Sequence, residues 1–211
     1  IASGAVYEDL NSWVRWDSLT GSGTFRGGWD NSRSITIGVA DGTGTFRGQL
    51  ADRDTGNNSR LHIVKVGTGT QTLTGDNTNW TGSLNVNGGT LRVGDGGASG
   101  SLGTAGIGVG SAGKLIFDRS DDALLVAQHI GGNGNIVQRG GGRVTLSADN
   151  GFSGTTTVEN QSVLRIGRGA VPGNLAGNVQ IDAGSTLEYF KSATGVSFNH
   201  SFSGAGTLRT L

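Results

Sequence analysis

Asp118, Asp121 and Asp122 stand within five residues of one another and form the tightest acidic cluster in the chain. Two carboxylates about 5–10 Å apart across one groove are what acid/base cleavage of a glycosidic bond requires. A second spot places Asp52 and Asp54 on either side of Arg53. Both segments are rich in turn-forming residues, and a related segment downstream carries Phe190-Lys191-Ser192-Ala193 in place of the first cluster. We therefore read both as solvated turns, with a polysaccharide-cleaving site at Asp118 and Asp122 kept as the lesser alternative.

Other chemistry is thinner still. The histidines are His62, His129 and His200, and the last two sit at nearly equivalent places in a repeat. Some 70 residues of separation would set them several turns apart, too far to share one ion. Cysteine is absent, which removes disulfides and every thiolate site. Residues 108–113 spell G-x-G-x-x-G, but an apolar alternating strand pattern follows at Lys114, where a dinucleotide site needs a helix N-terminus. Residues 131–136 have a calcium-roll look, yet Asn135 occupies the place of the ligand aspartate. Four Asn-x-Ser/Thr strings, at Asn57, Asn79, Asn160 and Asn199, read as turn asparagines. The expectation is no enzyme, no cofactor and no metal. Trp80 and Phe152 occupy equivalent positions. They read first as core aromatics, since large rings bury well, and second as an exposed aromatic contact for sugar.

The elements that would position these residues follow from composition. Of 211 residues 41 are Gly, one is Pro and none is Met, with 16 basic against 16 acidic side chains. Glycine near a fifth of the chain, against a usual ~7 %, together with low charge describes an ordered, turn-rich chain. Zero net charge gives no footprint for nucleic acid, and no apolar run approaches the ~20 residues of a membrane-spanning helix.

Repetition is the strongest signal. Residues 65–94 and 138–167 read as one pattern written twice, with Leu73, Val86 and Leu91 answering to Leu146, Val158 and Leu164. Within the copies the apolar period is two, the mark of short half-buried strands. The expected core is Leu73, Val86, Leu91, Val93, Leu115, Phe117, Leu146, Val158, Leu164, Ile166, Leu187 and Tyr189. A shorter Gly-x-Gly-x-apolar string recurs at residues 21–25, 42–46, 132–136 and 204–208. Units that cannot bury an apolar face alone must stack. The spacing predicts an all-β solenoid with no substantial helix, at 20–25 residues per coil and about nine or ten coils. At ~4.8 Å per coil that is a rod of roughly 45 Å. A β-sandwich leaves the fixed return of equivalent strands unexplained. Residues 1–33 read as a divergent cap, and 34–211 as repeats in two units, about 65–137 and 138–211.

These residues resemble the autotransporter-associated β-strand repeat of bacterial passenger domains. Thr45-Phe46-Arg47-Gly48 matches the lead-in, Lys65-Val66-Gly67-Thr68-Gly69 the basic opening, and Leu73 to Gly82 the turn with its aromatic, Trp80. Val86, Gly89, Leu91 and Val93 close the unit. The second copy departs at Gln138-Arg139, Phe152 and Gln161-Ser162. The resemblance implies a right-handed parallel β-helix, exported to the outer-membrane surface or beyond, in a parent chain that continues. Passengers with this repeat include adhesins, toxins and stalks, and with the chemistry blank the expectation is a non-catalytic spacer, scaffold or adhesin whose partner is a surface glycan or host receptor. The alternative is a self-assembling extracellular filament or surface layer, a homo-oligomer stacked end to end.

Overall fold

The computed structural model describes residues 1–8, 14–27, 33–53, 60–171, 173–191 and 200–211. Among these there is no helix, and every paired strand runs parallel to its neighbour. The strands line three faces of a solenoid. On the first face lie β2 (Arg15–Trp16), β4 (Arg33–Ile37), β7 (Leu61–Lys65), the opening halves of β9 (Leu84–Val93) and β10 (Ile107–Asp118), and β12 (Ile130–Gly132). The second face carries β5 (Gly44–Phe46), β8 (Thr70–Leu73), the closing halves of β9 and β10, β13 (Asn135–Arg139), β15 (Thr156–Val158), β17 (Val179–Ile181) and β19 (Phe202–Ser203). The third face opens with β1 (Val6–Glu8), β3 (Thr24–Arg26) and β6 (Gln49–Ala51). It resumes with β11 (Leu124–Val126), β14 (Arg143–Leu146), β16 (Val163–Gly169), β18 (Thr186–Lys191) and β20 (Thr207–Thr210).

The stack makes about eight turns, one for each strand level of the second face, rather than nine or ten. Partners on adjacent turns lie from 18 residues apart, as at Val6 and Thr24, to 28 apart, as at Ile35 and Ile63. Two turns that carry a long loop in place of a third-face strand, at residues 74–83 and 94–106, absorb residues that shorter coils would have left for another level.

Alternation sets the core. β7 reads buried, half-buried, buried, half-buried, buried, because successive side chains of a strand point to opposite sides. Parallel register then superposes like on like: Leu73 on Val93 on Phe117, and Val126 on Leu146 on Ile166 on Tyr189. All twelve residues of the expected core are 1 % exposed or less. Burying each such side chain contributes roughly 1.5–3 kcal/mol. Lys65 also points inward, and its ammonium donates to the carbonyls of Val66 at 2.6 Å and Gly88 at 3.4 Å. Burial pushes its pKa below the usual lysine range.

The corner between the first two faces explains the Gly-x-Gly string. Gly132 takes φ 103°, in the left-handed region. A Cβ on Gly154 would lie 1.9 Å from the carbonyl oxygen of Gly134 on the turn before. Near the other end Trp16 packs edge-on to Tyr7 and Phe25, with centroids 5.0 and 5.2 Å away. Trp13 and Trp29 lie outside the described residues.

The sequence repeat and the structural turn are out of step. Lys65 pairs with Val86 on the first face, while their counterparts Gln138 and Val158 pair on the second. Leu73 and Leu91 belong to strands of the second face, and Leu146 and Leu164 to strands of the third. One repeat thus advances three turns and one face, so equivalent residues of the two units point in different directions.

Candidate functional site: a groove along the third face

The third face is interrupted. Between β6 and β11 two turns pass without a strand, and a side chain holds them. Asn77, 1 % exposed, accepts the Leu50 N–H at its Oδ1 (2.7 Å) and donates to the Ser101 carbonyl at 3.0 Å. One amide therefore ties the turn behind to the turn ahead where no ladder does. Asn150 repeats this on the first face, accepting from Ile130 N–H at 2.9 Å and donating to Asn174 O at 3.1 Å. It stands where that face runs out of strands, beyond β12.

A groove of about 500 Å³ fills the interruption, lined by Thr74, Asp76, Ser101, Arg119, Leu124 and Leu125 among others. β11 borders it and pairs with β14 alone. A second groove of about 420 Å³ shares Ala123, Leu124 and Leu125 with the first and continues over the outside of β14, β16 and β18. Its walls carry Asp122, Arg143, Thr145, Arg165, Arg168 and Phe190. Register places Leu125, Thr145, Arg165, Glu188 and Arg209 in one outward column, with levels about 4.8 Å apart. Arg165 Nε donates to Glu188 at 2.8 Å, and Arg209 approaches the same carboxylate at 3.5 Å. The Arg165 guanidinium also lies 5.4 Å from the centroid of Phe190, which is 36 % exposed.

Each carboxylate of the acidic cluster is engaged by an arginine. Asp118 closes β10 and is 4 % exposed, not in a solvated turn. Its Oδ2 accepts from Arg92 Nε at 2.7 Å and Arg139 Nε at 2.9 Å, which makes it the centre of a cross-turn ion ladder. Asp121 takes two hydrogen bonds from Arg119 at 2.8 and 2.6 Å, and that guanidinium holds its carboxyl below the usual carboxylate range. Asp122 pairs with Arg143 at 3.0 Å. Asp76 accepts the N–H and hydroxyl of Thr78 and the hydroxyl of Ser101, which lower its pKa as well. A general acid needs the opposite displacement. Asp52 latches Leu61 and Thr81 through their N–H groups at 2.9 and 2.6 Å; Asp54 lies outside the described residues.

The three histidines are dispersed. His62 bonds Ser83, with Oγ at 2.6 Å and N–H at 3.0 Å from Nδ1. His129 Nδ1 meets the Asp149 carbonyl, and His200 Nε2 meets the Tyr189 hydroxyl at 2.9 Å. Among the described residues no three His, Cys, Asp or Glu gather as a metal site. Residues 108–113 form the bent middle of β10, not a loop leading into a helix. Trp80 and Phe152 correct the exposed-stripe alternative: they are 1 % and 0 % exposed, and Trp80 Nε1 donates to the Leu61 carbonyl inside the stack.

The outward arginines, Phe190 and the clamping asparagines escaped the sequence reading. Asn77 and Asn150 align in the repeat and were legible there. Arg165 and Glu188 were not, because their pairing depends on a register of 23 residues that composition does not display.

Comparison with known proteins adds the context. Residues 63–93 and 136–161 match the passenger-associated-transport-repeat family. Over 95 residues the chain is 43 % identical to the adhesin BmaC autotransporter of Brucella suis biovar 1 (strain 1330), a match spanning 44 % of this chain and 3 % of that protein. No solved structure matches. The two matched segments contain Lys65, Leu73, Trp80 and Leu91 in one and Gln138, Leu146, Asn150 and Phe152 in the other, the residues whose roles recur one face apart. The chain is thus a parallel β-solenoid that carries two segments similar to passenger-associated-transport repeats.

Proposed function

We propose that the chain is a surface-exposed adhesin module of an autotransporter passenger, a rigid stack that presents its outer grooves to a partner and spaces flanking regions without doing catalysis itself. The carrying observation is the pair of passenger repeats together with 43 % identity over 95 residues to a protein named as an adhesin. A largely apolar interior with most of the charge in outward ladders supports it, as do carboxylates engaged by arginines, hydroxyls and backbone N–H groups. Such a module works outside the cell or at the outer-membrane surface, and its partner is a surface glycan or host receptor. Right-handed winding is the expected sense, because parallel crossover connections are right-handed in ≈ 98 % of cases.

Fluorescently labelled chain should bind cultured epithelial cells saturably and be displaced by excess unlabelled chain. Binding no greater than that of a labelled unrelated β-rich protein would remove the adhesin reading.

A further inference from the structure

The second groove is rich in arginine. Arg143, Arg165 and Arg168 line it together with one carboxylate, Asp122, and the hydroxyl of Thr145. Two of these cations have acidic neighbours: Arg143 pairs with Asp122, which is itself 61 % exposed, and Arg165 shares Glu188 with Arg209. Arg168 has no ion pair among the described residues. With Arg209 counted, four arginines face two carboxylates, in a chain whose total charge is zero. Phe190 stands exposed at the edge of the same groove, its ring held beside Arg165.

A planar guanidinium fork suits a carboxylate, which it grips bidentately. An exposed phenyl ring suits the apolar face of a sugar, and Thr145 and Asp122 suit its hydroxyls. Nucleic acid needs a broad basic surface, which a neutral chain with two excess charges in one groove lacks. Asp122 within the groove disfavours a densely sulfated chain by like-charge repulsion and tolerates a sparsely charged one. The groove runs along the stacking axis over three successive turns, so it offers extended contact and not a single pocket.

We infer that the groove over β14, β16 and β18 binds a carboxylate-bearing oligosaccharide, a uronate chain with one charge for every one or two sugar rings. This inference rests on the adhesin reading and names the class of its partner. Arg168 and Arg143 take the carboxylates, Phe190 the sugar face, and Thr145 the hydroxyls.

Titration calorimetry of the whole chain with a hyaluronan octasaccharide tests it. Arg168→Ala and Phe190→Ala should each weaken binding at least tenfold with melting temperature unchanged, since both side chains are exposed. Arg47→Ala, an equal charge loss away from the groove, should leave binding unchanged. Dextran of similar length should not bind. Equal weakening by Arg47→Ala would reduce the effect to bulk charge and overturn the site. Tighter binding of a heparin octasaccharide or of poly-glutamate would overturn the ligand class in favour of a sulfated glycan or an acidic protein. The two readings fail separately. Cell binding by wild type that survives in Arg168→Ala and Phe190→Ala would sink the groove and leave the adhesin; octasaccharide binding that those variants abolish, without cell binding, would uphold the groove and sink the adhesin.

Discussion

Asn77 and Asn150 occupy the same place in the two repeats and make the same three-turn clamp on different faces, the first at the third face and the second at the first. Each stands where a ladder stops. A strand that loses its neighbour leaves N–H and C=O groups unpaired, and a buried side-chain amide, with one acceptor and two donors, can satisfy both directions at once. The clamp lets a face end inside the stack without an unpaired edge at that point.

An unsatisfied buried group costs about 1–3 kcal/mol. Asn77→Ala leaves two, the Leu50 N–H and the Ser101 C=O, and should cost about 3 kcal/mol. Asn150→Ala leaves one, the Ile130 N–H, because Asn174 is exposed, and should cost about 2 kcal/mol. Asn135→Ala, which removes an exposed bond to Thr155 N–H, should cost under about 1 kcal/mol. Urea denaturation checks all three, and equal effects at the three positions would mean the clamps carry no special weight.

Gly154→Ala should destabilise strongly, because its Cβ would meet the Gly134 carbonyl at 1.9 Å and neither backbone can retreat. Overpacking of this kind costs about 1–3 kcal/mol or more. At Gly97 the nearest atom to a new Cβ is 3.6 Å away, so Gly97→Ala should melt within a degree or two of wild type. Thermal melts of the two variants side by side separate corner glycines from loop glycines.

Acid should loosen the stack. Asp121 and Asp76 have native pKa values below the ordinary ~3.9 of an unfolded aspartate. A depressed carboxyl contributes stability that is present above the unfolded value and lost as pH falls through the folded one. Melting temperature should therefore hold between pH 7 and about pH 5 and decline below about pH 4, and Asp76→Asn and Asp121→Asn should shallow that decline. A melting temperature that rises on acidification would contradict the assigned hydrogen bonds.

Leu164 sits in the third-face column between Val144 and Leu187. An aspartate there would be a buried charge with no partner, which costs several kcal/mol or unfolds the adjacent turns. Leu164→Asp should lose β-type circular dichroism, whereas Leu125→Asp, at an outward position 39 % exposed, should keep it.

The sequence made the interior legible because solenoid burial is local: alternation within Leu91-Arg92-Val93 or Val163-Leu164-Arg165-Ile166 fixes which side chains point inward without knowledge of their neighbours. Glycine pairs such as Gly132 and Gly134 marked corners for the same reason. Register was not local. Asp118 looks like a turn acid until Arg92 and Arg139 are placed on the turns either side of it, and Arg165 looks like an isolated charge until Glu188 and Phe190 arrive beside it. The one-face offset between repeats was hidden as well, since a spacing of about 73 residues was compatible with whole turns until the ladders assigned Lys65 and Gln138 to different faces. Trp80 and Phe152 were ambiguous because an aromatic at a turn is equally at home on either side of the wall.

The proposed role is that this β-solenoid is itself adhesive. The direct measurement is to display these 211 residues on a non-adherent bacterium through a heterologous autotransporter translocator and count bacteria retained on epithelial monolayers, with and without soluble chain. The account predicts retention several-fold above the parent strain, abolished in a dose-dependent way by soluble chain. Retention equal to the parent strain, with surface display verified by antibody, would contradict it.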